Sequence, residues 1–467
     1  MTTTSVEQLL ATLRRKPQSS APEVAAALGV SVPTAQRLLR TAGDAVVSLG
    51  RARRTRHAAR RSLRGQAQDL PVYRIDAEGI AHAFATLALV APQGCAMALQ
   101  EGGWPLPDAS RDGWWPGLPY PLQDMRPQGY LGRQFARAVH DDLQLPPDPR
   151  AWGDDEVLLA LAHAGHDMPG DLVVGERALR LWQAQRLAAP PALTEERLLE
   201  AYAALAELAL AGGAAGSSAA GEFPKFAALR SLPLAQEGGP DGVPRSAHVL
   251  VKFSGAGVSP AERRWADLLR AEHLALQTLA EHGVPAARSR ILTGAGRTFL
   301  EVERFDRHGL WGRSPLVSLE AVNAAFLGQP QRSWAVLGAG LVRLDVLSDP
   351  ALQHIARLEW FGRLIGNTDM HLGNLGFRPR ADGFSPAPAY DMLPMRYAPL
   401  PGGELPALRP LDPALPLPAE RSNWQAAAGV AMAFWQQLAD DVGTAQDLRA
   451  LAGTHAGQLT QLRAVVG

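Results

Sequence analysis

The chain has 467 residues, 46% of them apolar and 20% charged, so it is long enough for two or three globular domains and is neither a disordered nor a fibrous protein. Its single cysteine, Cys95, excludes an intramolecular disulfide and a cysteine-based zinc site. No apolar run reaches the roughly 18 residues that a membrane helix needs, and no secretion signal is visible. The sequence therefore predicts a cytoplasmic protein with no membrane partner.

The formal net charge of zero hides an uneven distribution of charged residues. Residues 1–64 hold twelve Lys and Arg residues against three Asp and Glu residues, so the rest of the chain is acidic. A contiguous basic terminus of this kind indicates a module that binds a polyanion, attached to a body with a different task.

Three short helices are predicted in this basic terminus. Residues 5–15 have an amphipathic pattern, Ser20 and Gly29 mark the start and end of a second helix, and Ser31 can cap a third over 32–41. The apolar run 45–50 and a series of arginines follow. Together these segments resemble a winged helix-turn-helix.

On this interpretation the third helix is the recognition helix, and the arginines neutralise DNA phosphates. The predicted DNA contacts are Thr34, Gln36, Arg37, Arg40, Arg51, Arg53, Arg54 and Arg56, and the arginine series continues with Arg60, Arg61 and Arg64. Because winged modules often bind paired half-sites, operator DNA and a homodimer are both expected. The alternative is a small helical adaptor with a solvated basic tail.

The body of the chain has the pattern of two lobes. Residues 65–150 carry little periodic signal, but alternation over 249–253 predicts a strand, followed by a helix over about 261–282 and a strand over Thr298–Glu303. Beyond 315 the pattern is largely helical. The fold class is therefore α+β, two-lobed and protein-kinase-like with a helical C-terminal lobe. The predicted domains are 1–64 (winged helix-turn-helix), 65–306 (N-terminal lobe) and 307–467 (C-terminal lobe).

One constellation points to phosphate transfer. Asp369 and Asn374 lie five positions apart, the interval between the catalytic-loop Asp and the metal-binding Asn of protein kinases, and Asp391 follows seventeen positions after Asn374. Upstream, Lys252 on a predicted strand precedes Glu272 on a predicted helix by twenty positions. This spacing matches the kinase pair in which a glutamate orients a phosphate-binding lysine.

The same residues also fit ordinary structural roles. Asp369 and Asn374 could be loop-capping residues, Lys252 could form a surface salt bridge, and His371 could be a satisfied core or loop histidine. The spacing of Asp369 and Asn374 also serves small-molecule kinases. A further alternative is a DNA-binding transcriptional regulator whose kinase-like domain is inactive or only senses nucleotide.

Four segments resemble the HipA toxin kinases of bacterial toxin–antitoxin systems. They are 218–225, 251–253, 302–307, and 367–374 with the Tyr390-Asp391 pair. The resemblance covers about residues 125–460 and implies an ATP- and Mg²⁺-dependent serine/threonine kinase. Its substrate would be a cellular protein, for which the family suggests an aminoacyl-tRNA synthetase.

The resemblance also implies roles for individual residues. Asp369 is the expected catalytic base, and Asn374 and Asp391 are the expected Mg²⁺ ligands. The expected ATP-binding residues are Lys252, Glu272, Glu303, Phe305, Asp306 and His371. Ser218 matches a serine that the family autophosphorylates, in a loop with Gly221 and Lys225. Phosphorylation there is associated with inactivation, which repulsion between the phosphate and ATP explains.

The chain departs from the family pattern in two ways. Phe223 and Gly373 stand where the family usually has Gln and Lys, which affects the loop geometry and the contacts near phosphate. Family toxins are paired with a separate helix-turn-helix antitoxin, whereas this chain carries its own basic module. The sequence therefore predicts a fused regulator in which kinase activity and DNA binding are coupled.

Overall fold

The computed structural model describes most of the chain. The described residues are 5–65, 69–99, 103–188, 192–211, 223–231, 245–330 and 333–466. Ser218 and Gly221 lie outside these residues. Of the helices within them, none combines the length and the apolar character needed to cross a lipid bilayer.

The N-terminal module, which we call the winged module, has three short helices followed by an antiparallel hairpin, the wing. Its elements are α1 (Val6–Arg15), α2 (Ala21–Leu28), α3 (Val32–Ala42), β1 (Val46–Leu49) and β2 (Arg56–Ala59). The side chains of Ser5, Ser20 and Ser31 cap the three helices, because each hydroxyl accepts a hydrogen bond from a backbone N–H of the first turn. Gly29 ends α2 in the left-handed region, with φ +64°.

A five-stranded antiparallel sheet follows, in the region with little periodic signal. Its strands are β3 (Leu70–Ile75), β4 (Ala81–Leu89), β5 (Cys95–Ala96), β6 (Trp114–Trp115) and β7 (Leu172–Val174), in the order β6-β5-β4-β3-β7. The same region of the chain contains the helices α4 (Gly129–Leu143), α5 (Asp154–Ala164) and α6 (Glu176–Ala188). We call residues 69–188 the middle domain.

The wing is packed on the middle domain. Val47 and Ala58 of the wing share a small buried core with Ala88, Val90 and Trp114 of the sheet. The backbone N–H of Ala91 also donates to the carbonyl of Ala59, at 2.9 Å. The two units are therefore joined by a packed interface.

A second sheet forms the strand-containing part of a kinase-like lobe. Its strands are β8 (Lys225–Ser231), β9 (Ser246–Phe253), β10 (Ser289–Gly294) and β11 (Arg297–Glu303), in the antiparallel order β10-β11-β9-β8. Helix α7 (Leu198–Ala211) packs on one face, where Tyr202 contacts Phe226 and Phe299. Helix α8 (Pro260–Glu281) packs on the other face through Leu268 and Leu269.

The C-terminal lobe is mainly helical. Short hairpin strands β12 (Arg307–His308) and β13 (Gly312–Arg313) precede a small sheet of β14 (Val317–Ser318), β15 (Gly376–Arg380) and β16 (Gly383–Pro386). The helices are α9 (Leu319–Phe326), α10 (Trp334–Arg343), α11 (Asp349–Leu364), α12 (Arg421–Asp440) and α13 (Gln446–Val466). Fully buried Phe361, Trp424 and Trp435 hold them together. The predicted α+β, two-lobed arrangement is confirmed, while the three domain boundaries stay a prediction.

Candidate active site and nucleic-acid interface

A buried ion triad lies between the two lobes of the kinase-like body. Strand β9 carries Lys252, whose Nζ donates to both carboxylate oxygens of Glu272 on α8, at 2.7 and 2.8 Å. The same ammonium bonds the Asp391 carboxylate, 139 positions further along the chain. Lys252 and Glu272 are almost fully buried, whereas the side chain of Asp391 is 33% exposed. The fold thus brings together three predicted site residues, and only Asp391 opens toward solvent.

The charges of the triad are set by their mutual contacts. For Asp391, burial would raise the pKa, but the ammonium groups of Lys252 and Lys225 outweigh it and hold the pKa well below its usual range. Burial raises the pKa of Glu272, and Lys252 offsets this only in part. The Asp391 carboxylate is therefore the member of the triad whose charged form is favoured by its surroundings, as a cation ligand requires.

Asp391 has an unusual backbone conformation. Its φ of +54° lies in the left-handed region, which is uncommon for a residue other than glycine. The Asn367 amide nitrogen donates to the Asp391 carbonyl at 3.0 Å and helps to hold this conformation. Such conformations cluster at functional sites, where surrounding contacts offset a strain of about 1–3 kcal/mol.

The loop that follows α11 presents Asp369. The carbonyl oxygen of the Asn367 side chain accepts from the Asp369 N–H at 3.1 Å, and the Asn374 amide nitrogen donates to the Asp369 carbonyl at 2.7 Å. Both asparagines are buried, while Asp369 is exposed. The two amides therefore fix the backbone on either side of a carboxylate that an incoming hydroxyl can reach.

Asn374 and Asp391 suit a hard divalent cation. The amide nitrogen of Asn374 is used by the Asp369 carbonyl, which leaves the amide oxygen as its ligand atom. Within the described part of the chain, no group of three or more His, Cys, Asp or Glu side chains is arranged to hold a metal ion. A site of two protein ligands fits Mg²⁺, which is commonly bound through one or two carboxylates plus substrate phosphates.

Three of the remaining predicted nucleotide contacts are Phe305, His371 and Glu303. Phe305 lies at the junction of the lobes, with its ring centroid 5.7 Å from that of Tyr390. His371 is exposed beside Asp369, and its Nδ1 accepts from the Gly373 N–H at 3.1 Å. Glu303 ends β11, and its carboxylate bonds Arg245 at 2.9 Å. The Glu303 side chain is thus held by Arg245, and its backbone N–H donates to the Arg288 carbonyl at 2.8 Å.

Asp306 faces away from the cleft. Its carboxylate accepts from Arg304, from Arg307 and from the Gly170 N–H of the middle domain, at 3.0, 2.6 and 2.9 Å to the same oxygen. Burial would raise the pKa of Asp306, but the two guanidinium groups lower it well below its usual range. The Asp306 side chain is thus bound in an ion cluster rather than directed at nucleotide.

The structure describes part of the loop that leads into β8. Lys225 begins β8 and pairs with Lys252 across the β8–β9 ladder. Phe223, one of the two departures from the family pattern, is buried against Trp265 with its ring 5.9 Å from the Lys252 ammonium. An aromatic face at this distance attracts a cation. Phe223 therefore adds a favourable contact to the Lys252 ammonium from the loop side.

The predicted DNA contacts lie on one solvent-facing module. Gln36, Arg37 and Arg40 are exposed on α3, while Thr34 is half-buried and its hydroxyl lies 2.9 Å from that of Ser31. Four further predicted contacts belong to the wing. Among these, Arg51, Arg53 and Arg54 are exposed and Arg56 is half-buried.

Three other arginines of the basic run are bound to the body of the protein. Arg60 bonds Asp69, and Arg61 bonds Asp155 of α5. Arg64 donates to the carbonyls of residues 143 and 144, at 2.6 and 3.1 Å. The expectation that the whole run contacts phosphates is thus wrong for these three, because middle-domain acceptors already hold their guanidinium groups.

Some site residues carried no assigned role at the level of sequence. Asn367 and Tyr390 belong to the quoted motifs, yet their contacts to Asp391 and to the Gly373 carbonyl became visible only in the fold. Asp167 and Gly170, which bind the segment after Phe305, gave no signal because they lie 140 and 136 positions from their partners Arg307 and Asp306.

Comparison with known proteins identifies the family. A model of the HipA-like C-terminal domain matches residues 217–461, more than half of the chain. The chain belongs to the HipA-like family. In this HipA-like chain, residues 66–183 also match a model described as the YjjJ-like toxin middle domain. The protein called Toxin YjjJ of Escherichia coli (strain K12) is 38% identical over 435 residues, 93% of each chain.

A solved structure agrees in fold with the HipA-like chain. It is the complex of the Shewanella oneidensis MR-1 toxin–antitoxin system HipA, HipB and its operator DNA. One chain of that complex superposes with a TM-score of 0.53 at 15% identity, covering 84% of this chain and 96% of that chain. At this identity the likeness shows the kinase-like fold alone.

Proposed function

We propose that this chain is an ATP- and Mg²⁺-dependent serine/threonine protein kinase of the HipA toxin type. The observation that carries the proposal is the triad of Lys252, Glu272 and Asp391 beside the exposed Asp369. The similarity to Toxin YjjJ supports the toxin assignment, and the HipA-like family supports a kinase-like enzyme. An aminoacyl-tRNA synthetase is the substrate class that the family resemblance suggests.

Each residue has a distinct task in the proposed reaction. Lys252, held by Glu272, binds the ATP phosphates in place of its present contact with Asp391. Asn374 and Asp391 would hold Mg²⁺, which neutralises charge on the phosphates when bound. Asp369 accepts the proton of the attacking hydroxyl as the oxygen bonds the γ-phosphorus and ADP leaves. Glu303 and Phe305 would flank the adenine, with His371 near the phosphates.

Autophosphorylation of Ser218 is part of the proposal. In the sequence Ser218 and Gly221 shortly precede Phe223 and Lys225, and the family resemblance assigns them to one segment near the nucleotide. A phosphate there would add about two negative charges next to the ATP phosphates. Repulsion between them would lower nucleotide affinity and switch the kinase off.

Phosphate transfer from labelled ATP tests this function. Wild-type protein incubated with Mg·ATP and bacterial lysate should label itself or a lysate protein. The Asp369→Ala and Asp391→Ala variants should lose this transfer, whereas Asp141→Asn, at an exposed position of α4, serves as a matched control. Undiminished transfer in the first two variants would overturn the assignment.

A second function rests on the winged module. Gln36, Arg37 and Arg53 project from the part of the fold that enters or flanks a DNA groove in winged proteins. The solved HipA and HipB complex contains operator DNA, which supports operator DNA as a partner here. We infer a single-chain regulator that binds its own operator, as a homodimer on paired half-sites, and couples this binding to kinase activity.

Point variants are the appropriate test of DNA binding. Removing residues 1–64 would uncover Ala88, Val90 and Trp114, so a truncated chain could fail for reasons of folding. Arg37→Ala should weaken binding to operator fragments while the chain stays folded. ATP binding and DNA binding without any phosphate transfer would favour the alternative, a regulator with a nucleotide-sensing domain.

A further inference from the structure

A buried ion cluster joins the middle domain to the segment that follows Phe305. The cluster consists of Arg304, which directly precedes Phe305, of Asp306, Arg307 and Arg313, which follow it, and of Asp167 of the middle domain. The Arg307 side chain is only 2% exposed, whereas the Asp167 side chain is 45% exposed at the rim. Because the middle domain lies outside the two kinase-like lobes, this contact is an addition to the kinase core.

Arg307 is the centre of the contact. One guanidinium nitrogen donates to the Asp167 carboxylate at 2.9 Å and to the Met168 carbonyl at 2.7 Å. The other donates to the Gly170 carbonyl at 2.8 Å and to Asp306 at 2.6 Å. The Gly170 N–H donates in turn to Asp306 at 2.9 Å. We call residues 166–171 the clamp loop, because they hold Asp306 and Arg307 from outside the kinase lobes.

The clamp loop acts on a short turn of backbone. The Arg307 N–H donates to the Arg304 carbonyl at 3.2 Å, and the Ser314 N–H donates to the Asp306 carbonyl at 3.1 Å. These bonds close the turn that contains Phe305, so the position of Arg307 determines that of Phe305.

Phe305 links this turn to the catalytic centre. Its ring lies against Tyr390, which directly precedes Asp391. The Tyr390 hydroxyl donates to the Gly373 carbonyl at 2.6 Å, in the loop between Asp369 and Asn374. Packed contacts therefore lead from the clamp loop to the residues that would hold nucleotide and metal.

We propose that the clamp loop is a positioning element of the nucleotide site, with Asp167 and Arg307 as positioning residues that act through Phe305. This inference rests on the proposed function, because it states that the clamp loop influences how tightly the proposed site binds ATP. Charge is required because Asp167 and Asp306 together balance the clustered guanidinium groups of Arg304, Arg307 and Arg313, and loss of Asp167 leaves Asp306 as the one remaining carboxylate among these five side chains. Loss of Asp167 should therefore loosen the turn at 304–307 selectively.

The test compares three variants of the full chain. Asp167→Asn keeps the shape but removes the charge, Asp167→Glu keeps the charge, and Asp141→Asn changes a 93% exposed carboxylate elsewhere in the middle domain. Two measurements are made on each: the KM for ATP with kcat in the transfer assay, and amide hydrogen exchange over residues 303–308 and 388–393.

We expect Asp167→Asn to raise the KM for ATP about fivefold with little change in kcat, consistent with the loss of a charged hydrogen bond at a partly exposed site. Exchange should become faster in both segments, while Asp167→Glu and Asp141→Asn stay close to wild type. The inference is overturned if Asp167→Asn leaves both segments and the KM unchanged, or if exchange rises evenly over the whole chain. Wild-type protein that neither binds nor uses ATP would overturn the proposed function, and the exchange comparison would still decide the role of the clamp.

Discussion

The winged module and the candidate active site place their charged residues in opposite ways. In the module, Arg37 and Arg53 are exposed on a continuous stretch of about sixty residues. In the active site, Lys252, Glu272 and Asp391 come from distant parts of the chain and contact one another in a largely buried cluster. The exposed charges are available to a partner, whereas each charge in the cluster is stabilised by the neighbouring charges of opposite sign.

This difference separates effects on binding from effects on stability. An exposed arginine can be removed without leaving a buried charge behind, so its loss should affect ligand binding alone. Removing one member of a buried ion cluster leaves its partners uncompensated and destabilises the fold. Substitutions in the two regions should therefore differ in their effects on binding and on unfolding.

The largest effect is expected at the exposed carboxylate of the active site. Asp369→Asn removes the proposed proton acceptor but keeps the shape of the loop, so kcat for transfer should fall about a thousandfold, within the range for general bases. The affinity for ATP, measured by calorimetry, should stay within about threefold. A loss of ATP affinity as large as the loss of kcat would assign Asp369 to nucleotide binding instead.

Lys252→Met should affect both activity and stability. The substitution leaves the carboxylates of Glu272 and Asp391 without their ammonium partner, which costs about 3–5 kcal/mol of unfolding free energy for a buried pair. Urea unfolding measures this loss. Adding Glu272→Gln to Lys252→Met should restore part of it, since one uncompensated carboxylate is then removed.

A matched control for that experiment is Arg53→Met, a substitution of an exposed cation in the wing. Its unfolding free energy should stay within about 0.5 kcal/mol of wild type. Equal destabilisation by Lys252→Met and Arg53→Met would contradict the contrast between the two regions.

Two pairs of arginines in the basic run should behave differently. Arg53→Ala with Arg54→Ala should reduce the slope of log affinity for DNA against log salt by about 1.8, if each arginine contacts one phosphate. Arg61→Ala with Arg64→Ala should leave that slope unchanged and lower the unfolding free energy by about 1–2 kcal/mol through lost contacts to the middle domain. Filter binding over a salt series and urea unfolding measure the two effects. If instead Arg61→Ala with Arg64→Ala reduced the slope, and Arg53→Ala with Arg54→Ala lowered the unfolding free energy, the wing would pack on the middle domain in a different orientation.

The smallest effect concerns pH and His57. Burial lowers the pKa of His57 below 6.5, and its Nδ1 lies 2.8 Å from the Ser48 hydroxyl in the wing. Below about pH 6.5 the unfolded chain therefore binds more protons at His57 than the folded chain does. The folded state is stabilised by its neutral imidazole at higher pH, and this stability is lost as the pH falls. His57→Asn should therefore reduce the loss of unfolding free energy between pH 7.5 and 5 by less than about 1 kcal/mol. An unchanged pH profile would show that His57 does not titrate differently in the folded state.

Local patterns in the sequence predicted much of the fold. The serine caps of α2 and α3, the β9 strand and helix α8 agree with expectation to within a few residues, because capping and periodicity act over short distances. The sheet of the middle domain escaped prediction. Its strands β5, β6 and β7 have only two or three residues and are stabilised by tertiary contacts such as those of Trp114.

The candidate site was predictable in part for a similar reason. The spacing of Asp369 and Asn374 reflects a local loop, and Lys252 with Glu272 reflects a strand followed by a helix. The direction of Asp306 and the pairing of Arg61 with Asp155 depend on segments that are far apart in the chain. Sequence spacing holds no information about which side such residues face once the domains pack.

Kinase activity is tested most directly by mass spectrometry of purified protein after incubation with Mg·ATP. A kinase of the proposed type should carry phosphate on a serine or threonine, with Ser218 as the expected position, and the Asp369→Asn protein should carry none. Wild-type protein that binds ATP but acquires no phosphate, and transfers none to lysate proteins, would contradict the assignment as a kinase.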